Sequence, residues 1–224
     1  MTTASTTPKK AYKSLPMEGI LATWYAKNTA KDMPEFEADA RRIAERLTPG
    51  CAVLEVAPGP GYLAIALARR GSHQISGLDI SHSFVRIASE NAAKAGVEID
   101  FAHGDAAAMP YASDAFDFIV CRAAFKNFSD PVGALREMHR VLRPGGEAPI
   151  IDMRKDASNA AIDDRVEAMK AGPMNAFIIR AVFKYSLRKR AYSKADFQRM
   201  AAATPFGGAQ INEDPLGFAV WLRK

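Results

Sequence analysis

"VLEVAPGPGYLAIALARRG", Val53–Gly71, sets a short apolar run, a turn with two glycines and two prolines, and a helix-like apolar run end to end. The first run reads as a buried strand and the second as a helix, because a continuous apolar stretch gives way across the turn to apolar residues at helical spacing. The same unit repeats downstream. "QISGLDI" (74–80), "IDFAHGD" (99–105), "FDFIVC" (116–121) and "APIIDM" (148–153) read as strands, separated by the helical patterns "SFVRIASENAAKAG" (83–96) and "DPVGALREMHRVLRPGG" (130–146). Short apolar strands alternating with helices predict a doubly wound α/β domain, a mostly parallel seven-stranded sheet covered on both faces.

The flanks extend this plan. "MEGILATWYAKNT" and "MPEFEADARRIAERL" predict two helices before the first strand, the second carrying Phe36, Ala40, Ile43 and Leu47 on one face. Residues 1–15 are polar without periodicity and are expected to form a flexible tail, leaving 16–224 as one domain. Residues 154–190 break the alternation with a basic, aromatic-rich stretch, expected to be a small helical substrate cap. A further helix, "YSKADFQRMAAATPF", precedes "AQINEDPLGFAVWLRK", read as an antiparallel edge hairpin turning at Asp214-Pro215.

Composition narrows the function classes. The chain has 224 residues, 48% hydrophobic and 25% charged, which suits a single core. It lacks an apolar run near the roughly 20 residues of a membrane span, and "MTTASTTPKKAYK" lacks the apolar centre of a secretory signal, so a cytoplasmic protein is expected. Cys51 and Cys121 sit in apolar strand-like segments without a CxxC pattern or a nearby histidine, which points to reduced core thiols and to no metal. The net charge of +5 arises in the last third: residues 1–153 hold 17 Lys and Arg against 18 Asp and Glu, and residues 154–224 hold 13 against 7. Arg180, Lys184 and Arg188 recur every four residues, beside Lys189 and Arg190. Such a row is a solvated helix face or a site for an anionic substrate, for RNA, or for weak association of residues 180–190 with an anionic membrane.

The opening turn is placed where open α/β sheets bind ligands, outside the carboxyl end of the first strand. Gly59 and Gly61 present bare backbone there. Gly59 to Ala64 fits the G-x-G-x-x-A dinucleotide pattern, with Asp79 about twenty residues on, so a nicotinamide cofactor is one reading. Glu55, just before the turn, argues against it, because a carboxylate repels a pyrophosphate and attracts a cation. S-adenosylmethionine carries a sulfonium and an ammonium, Asp79 suits its ribose diol, and Asp105 suits the adenine amine with the Ala106 N–H on the ring.

With Glu55, Ala57, Gly59 and Gly61 in an acid-x-Gly-x-Gly-x-Gly-like loop, "GLDIS" around Asp79, "GDAAAMPYASDAFDFIVC" and "REMHRVLRPGG", residues 50–152 resemble the class I S-adenosylmethionine-dependent methyltransferases. "CRAAFKNFSDPVGALREMHRVLRPGG" looks most like the quinone-biosynthesis C-methyltransferases and their small-molecule relatives. The resemblance implies the Rossmann-like methyltransferase fold, with S-adenosylmethionine as methyl donor and S-adenosylhomocysteine as product. It implies a cofactor set of Tyr25, Glu55, Ala57, Gly59, Gly61, Asp79, Ile80, Asp105, Ala106 and Arg122. One family glycine is Ala57 here, and Pro58 and Pro60 stiffen the turn.

The implied reaction is an in-line displacement, which depends mainly on alignment and needs few acid–base groups. Candidate catalytic residues are Tyr25, His82, His103 and Asp152; His73 and His139 fit a surface turn and a helix. Met169, Met174, Phe177, Phe183 and Tyr185 would give the cap an adaptable apolar side for an aromatic or hydrophobic acceptor. A small-molecule acceptor leads over RNA or protein, since no aromatic-interleaved basic groove is present. A nicotinamide-dependent oxidoreductase and a non-catalytic cofactor-binding subunit are the remaining alternatives, and the sequence does not indicate an oligomeric state.

Overall fold

The computed structural model describes residues 12–13, 17–170 and 172–224. Apart from Tyr12 and Lys13, the tail expected over 1–15 lies outside the described residues. Tyr12 forms an antiparallel bridge with Phe128, and the Lys13 amide donates to the Asn127 carbonyl at 2.9 Å.

Seven strands, β1 (Ala52–Val56), β2 (Gln74–Asp79), β3 (Asp100–His103), β4 (Phe116–Arg122), β5 (Leu142–Met153), β6 (Gln210–Glu213) and β7 (Gly217–Arg223), form one sheet in the order β3-β2-β1-β4-β5-β7-β6. β1 to β5 pair in parallel, and β7 runs antiparallel between β5 and β6. The expected hairpin is thus present, with β6 at the edge and β7 taken into the sheet. Its turn is built by Asp214, whose Oδ1 accepts from the Leu216 and Gly217 amides. The helical pattern read to Gly146 ends at Val141, and Leu142–Gly146 belong to β5, where Gly145 takes φ 83° and the pairing with β4 shifts register.

The helices before and between the strands are α1 (Gly19–Thr29), α2 (Met33–Ala44), α3 (Tyr62–Ala68), α4 (His82–Ala95) and α5 (Pro131–Val141). After β5 come α6 (Asn159–Ala168), α7 (Pro173–Val182), a π-helical stretch (Phe183–Leu187), α8 (Arg188–Arg190) and α9 (Lys194–Ala202). Local signals explain their limits. Ser81 caps α4 by accepting from the Phe84 amide, Asp130 caps α5 from Gly133, and Ser193 with Asp196 makes a capping box on α9. Gly96 closes α4 in the left-handed conformation.

Side chains alternate across the sheet with period two. Val53, Phe118 and Val120 pack with Ala40 and Ile43 of α2 and Leu63 and Leu67 of α3. Leu54, Ile119 and Ile150 point the other way, onto Leu135 and Met138 of α5 and Phe197 of α9. The same alternation carries Glu55, Asp79 and Arg122 to the α2/α3 side and Asp152 to the α5/α9 side. Fold and side-chain parity therefore separate the acids of the carboxyl edge into two groups.

Within 154–190 the helical residues are those of α6, α7, the π-helical stretch and α8. Ile162 and Val166 of α6 hold Ala176, Ile179, Phe183 and Leu187 of the α7 to α8 segment, over Met153 at the end of β5. Met174, Phe177 and Tyr185 face solvent, and Phe183 packs inward.

Candidate functional site

The carboxyl end of β1 leads into α3 through the loop Ala57–Gly61, beside the carboxyl end of β2. Ala57, Gly59 and Gly61 take φ of 57°, 55° and 80°, so the chain leaves β1 through three left-handed residues. The two glycines serve different ends. A Cβ on Gly59 would meet nothing within 4 Å, so this residue exposes bare backbone to open space. A Cβ on Gly61 would approach Ala88 and Phe101 to 3.0 Å, so its bareness lets the start of α3 close onto α4 and β3. Asn91 of α4 donates to the Pro60 carbonyl at 2.9 Å and Pro58 accepts from the Gly61 amide at 3.0 Å, fixing the loop from both sides.

Ala57 pays the steric cost of a Cβ in the left-handed region, about 1 kcal/mol. Ala57→Gly relieves it but frees the unfolded chain, an opposing effect of roughly 0.4–1 kcal/mol. The variant is expected to hold or raise stability by up to ~0.5 kcal/mol, read as the urea midpoint. A clear loss would show that Ala57's methyl packing outweighs backbone strain.

Asp79 is buried at the end of β2. Its Oδ2 accepts from the Gly59 amide at 3.0 Å and its Oδ1 from the Ser81 amide at 2.9 Å. Burial nonetheless pushes its pKa up to about 6, against the lowering effect of those amides. The carboxylate thus already ties the glycine loop to β2, in addition to any ligand it meets.

Glu55 is 2% exposed, and its Oε2 has no partner. Burial raises its pKa to about 8; the Ala64 amide and the Arg122 charge lower it and Asp79 raises it. A buried carboxyl with one oxygen unpartnered costs free energy in the ligand-free fold and gains most from a cation brought beside it. Arg122 is committed elsewhere: its Nε donates to Asp39 Oδ2 at 2.6 Å, and its guanidinium stacks on Phe36 with 4.3 Å to the ring centroid. Glu35 accepts from Arg122 and also from Arg165 of α6, so α2, β4 and α6 meet at one carboxylate.

On the β2/β3 side, Asp105 Oδ1 accepts from the Ala107 amide at 2.9 Å, holding the turn that presents Ala106. Ile80 is half-exposed beside it. His82 and His103 stack with ring centroids 3.6 Å apart, and His103 Nε2 lies 3.1 Å from the Ile80 carbonyl oxygen. Since β3 is three strands from β4 and four from β5, His103 is roughly 14 Å across the sheet from the end of β4 and roughly 19 Å from that of β5. Tyr25 of α1 packs edge-on against Phe84 with centroids 5.7 Å apart. Burial raises its pKa, and Tyr12, Arg122, Asp32 and Asp152 are the charged or ionisable groups that act on it.

Asp152 lies on the β4/β5 side, bound inside a buried network. Its Oδ1 accepts from Lys126 Nζ at 2.7 Å and from the Met153 amide, and its Oδ2 from the Lys126 amide. Lys126 also donates to the carbonyl of Ala123, a second left-handed alanine at a strand exit, with φ 57°. Asn127 is buried with Oδ1 unpartnered. The structure brings together Tyr25, Glu55, the loop, Asp79 and Arg122, with Asp105 and Ala106 one strand further along the edge. It sets the histidine pair apart from Asp152. Sequence reasoning passed over Glu35, Asp39 and Arg165, whose helical positions carry no chemical signature, and gave Lys126 no role. A lysine enclosed by the apolar and aromatic residues of "AAFKNF" was the available signal for burial.

Among the described residues no group of three or more His, Cys, Asp or Glu is arranged to hold a metal, and Cys121 is a buried free thiol with its pKa raised by burial.

Residues 53–146 match the model of a methyltransferase domain. A demethylmenaquinone methyltransferase of Deinococcus radiodurans is 37% identical over 107 residues, 47% of this chain and 44% of that protein. The corresponding protein of Thermus thermophilus is 36% identical over 101 residues, 45% and 46% of the two chains. The chain thus spans less than half the length of these curated relatives. Over nearly the whole fold, it superposes on a candidate S-adenosyl-L-methionine-dependent methyltransferase of Methanococcus maripaludis, with TM-score 0.71, 24% identity and coverage of 91% and 92% of the two chains. Residues 53–146 thus match a methyltransferase domain, and the seven-stranded sheet has the Rossmann-like fold of the solved methyltransferase on which it superposes.

Proposed function

We propose that this protein transfers the methyl group of S-adenosylmethionine to a small aromatic or hydrophobic acceptor. The observation that carries the reading is the unpartnered Oε2 of the buried Glu55 carboxyl, at the end of β1 just before the open backbone of Gly59. A cation relieves that carboxyl, whereas the pyrophosphate of a nicotinamide dinucleotide would be repelled once it ionises. Glu55 would thus face the ammonium end of the cofactor, Gly59 the adjoining chain, Asp79 the ribose diol, and Asp105 with Ala106 and Ile80 the adenine. When bound, the cofactor supplies an electrophilic methyl group. Tyr25, packed on α4 and near the charges of Arg122 and Asp152, would close over it and exclude water.

The acceptor class draws on the relatives named as demethylmenaquinone methyltransferases. Catalysis here would rest on alignment, with the stacked histidines on the cofactor side of the edge and no confirmed base at the acceptor side.

Calorimetry with S-adenosylmethionine and NAD in parallel tests the cofactor. Binding of the first alone is expected, and binding of NAD alone would overturn the proposal. Asp79→Ala is expected to weaken binding by roughly 1–3 kcal/mol, through lost ligand contacts and a loosened Gly59. Incubation with methyl-labelled cofactor and a cell extract identifies the acceptor: label in a small apolar metabolite is expected, label in RNA or protein would replace that class, and binding without turnover would indicate a non-catalytic subunit.

A further inference from the structure

The helical segment 173–190 is turned inside out for a surface element. Met174, Phe177, Ile178, Val182 and Tyr185 project from one side and are each between 44% and 73% exposed, while α7 has no fully buried residue. Ala176, Ile179, Phe183 and Leu187 occupy the side that meets α6. Its basic row lies between the two and is anchored downward. Arg180 and Lys184 both reach Asp163 of α6, at 2.6 and 2.9 Å, and Arg188 donates to Asn159 Oδ1 at 2.9 Å. The bonds to α6 hold the helix with its apolar side outward.

Five large apolar side chains on one helix face form a contiguous patch of the kind that marks an interaction surface. The surrounding charge identifies what covers it. Residues 168–190 contain six Lys and Arg and no Asp or Glu; Arg180 and Lys184 are paired with Asp163, which leaves Lys170, Arg188, Lys189 and Arg190 without an ion pair among the described residues, Lys170 and Lys189 being exposed towards either end. Contact with the same face of a second copy would set these cations against one another, a repulsion that grows as water leaves the contact. A single-stranded nucleic acid would use the aromatic rings but leave Met174, Ile178 and Val182 without a role. An anionic lipid surface satisfies both: acyl chains receive the apolar side chains and headgroups receive the cations. No described helix is long and apolar enough to cross a membrane, so the geometry is that of a helix lying in the interface.

We propose that the outward face of helix segment 173–190 docks the protein on an anionic lipid bilayer. The inference stands apart from the methyl-transfer reading, since it uses neither Glu55 nor the glycine loop.

Cosedimentation of the full chain with phosphatidylcholine vesicles, with and without phosphatidylglycerol, is the test. Binding to the anionic vesicles is expected at low salt, with loss at high salt and little binding to phosphatidylcholine alone. Phe177→Ser with Ile178→Ser should cut partitioning by about tenfold or more. Charge reversal at Lys189 and Arg190 should cut it further, by roughly fivefold for each cation removed from the surface. Circular dichroism should show both variants folded, because the altered side chains are exposed or lie at the helix end. Failure of the wild type to bind anionic vesicles would overturn the proposal, as would binding unaffected by the double serine variant. Sedimentation equilibrium showing a dimer that this variant dissolves would also overturn it, assigning the face to self-association. Cofactor calorimetry on the same variants should be unchanged, which keeps this outcome separate from that of the methyl-transfer reading.

Discussion

Asp152→Ala should destabilise the fold by about 3–5 kcal/mol, the cost of leaving a buried ammonium without its counter-ion. Lys126 and Asp152 side chains are 6% and 2% exposed and meet at 2.7 Å. The carboxylate also accepts from the Lys126 and Met153 amides, so its removal strands two backbone donors along with the charge. Lys126→Met alone should produce a loss of similar size, because it strands the carboxylate in turn. The double variant Lys126→Met with Asp152→Asn keeps an acceptor for the amides and buries no charge, so its loss should fall well below the sum of the single ones. Urea denaturation measures all three. Single losses under ~1 kcal/mol that simply add would show that the pair is hydrated and structurally idle. The sequence reading made Asp152 a candidate catalytic residue. Its three bonds fasten the turn after β4 to the end of β5, so an effect on the acceptor would also pass through that turn.

Cofactor binding should release a proton from Glu55. In the folded, ligand-free protein its pKa is raised from 4.5 to about 8, so the carboxyl is mostly protonated at neutral pH. An ammonium placed beside it favours the ionised form. Affinity for S-adenosylmethionine is therefore expected to rise with pH, by at most about tenfold per unit, and to level off above pH 8. Calorimetry at pH 7 in two buffers of different ionisation enthalpy should count close to one proton released.

Stability of the ligand-free protein should move the opposite way. A carboxyl with a raised pKa binds more protons folded than unfolded, so its contribution declines as pH rises from about 4.5 and is lost by about pH 8. Asp79, raised to about 6, adds a similar decline at lower pH. Glu55→Gln should remove the upper part of the slope and stabilise the ligand-free protein by roughly 2–4 kcal/mol above pH 8, while weakening the cofactor. Affinity flat from pH 6 to 8 with no proton released would place the cationic end of the ligand away from Glu55.

Much of this was legible beforehand. The strands at Ala52–Val56, Gln74–Asp79, Asp100–His103 and Phe116–Arg122 follow the apolar runs closely, because a parallel strand covered on both faces must be apolar along its length. The roles of Gly59 and Gly61 were not separable, because both read as bare turn residues and only Ala88 and Phe101, brought in by α4 and β3, distinguish them. The histidines looked like equivalent flanking groups until stacking joined His82 to His103 and the strand order moved them away from β5. The basic row at 180–188 was visible as a charged helix face. That Asp163 and Asn159 would draw it towards α6 and turn Phe177 and Tyr185 outward depends on contacts between separate helices.

The sequence by itself determined the alternation of strands and helices, the ligand loop and the acids at the strand ends, since these follow from local periodicity and from residues within a few positions of one another. Tertiary structure decided which charges are paired. Glu55 is left alone, Asp152 is joined to Lys126, and Arg122 is shared between Asp39 and Glu35, because partners more than twenty residues apart meet only when the sheet is assembled. The unpaired acid is the one that a cationic ligand can complete, and that distinction arises from burial, which no stretch of sequence carries on its own.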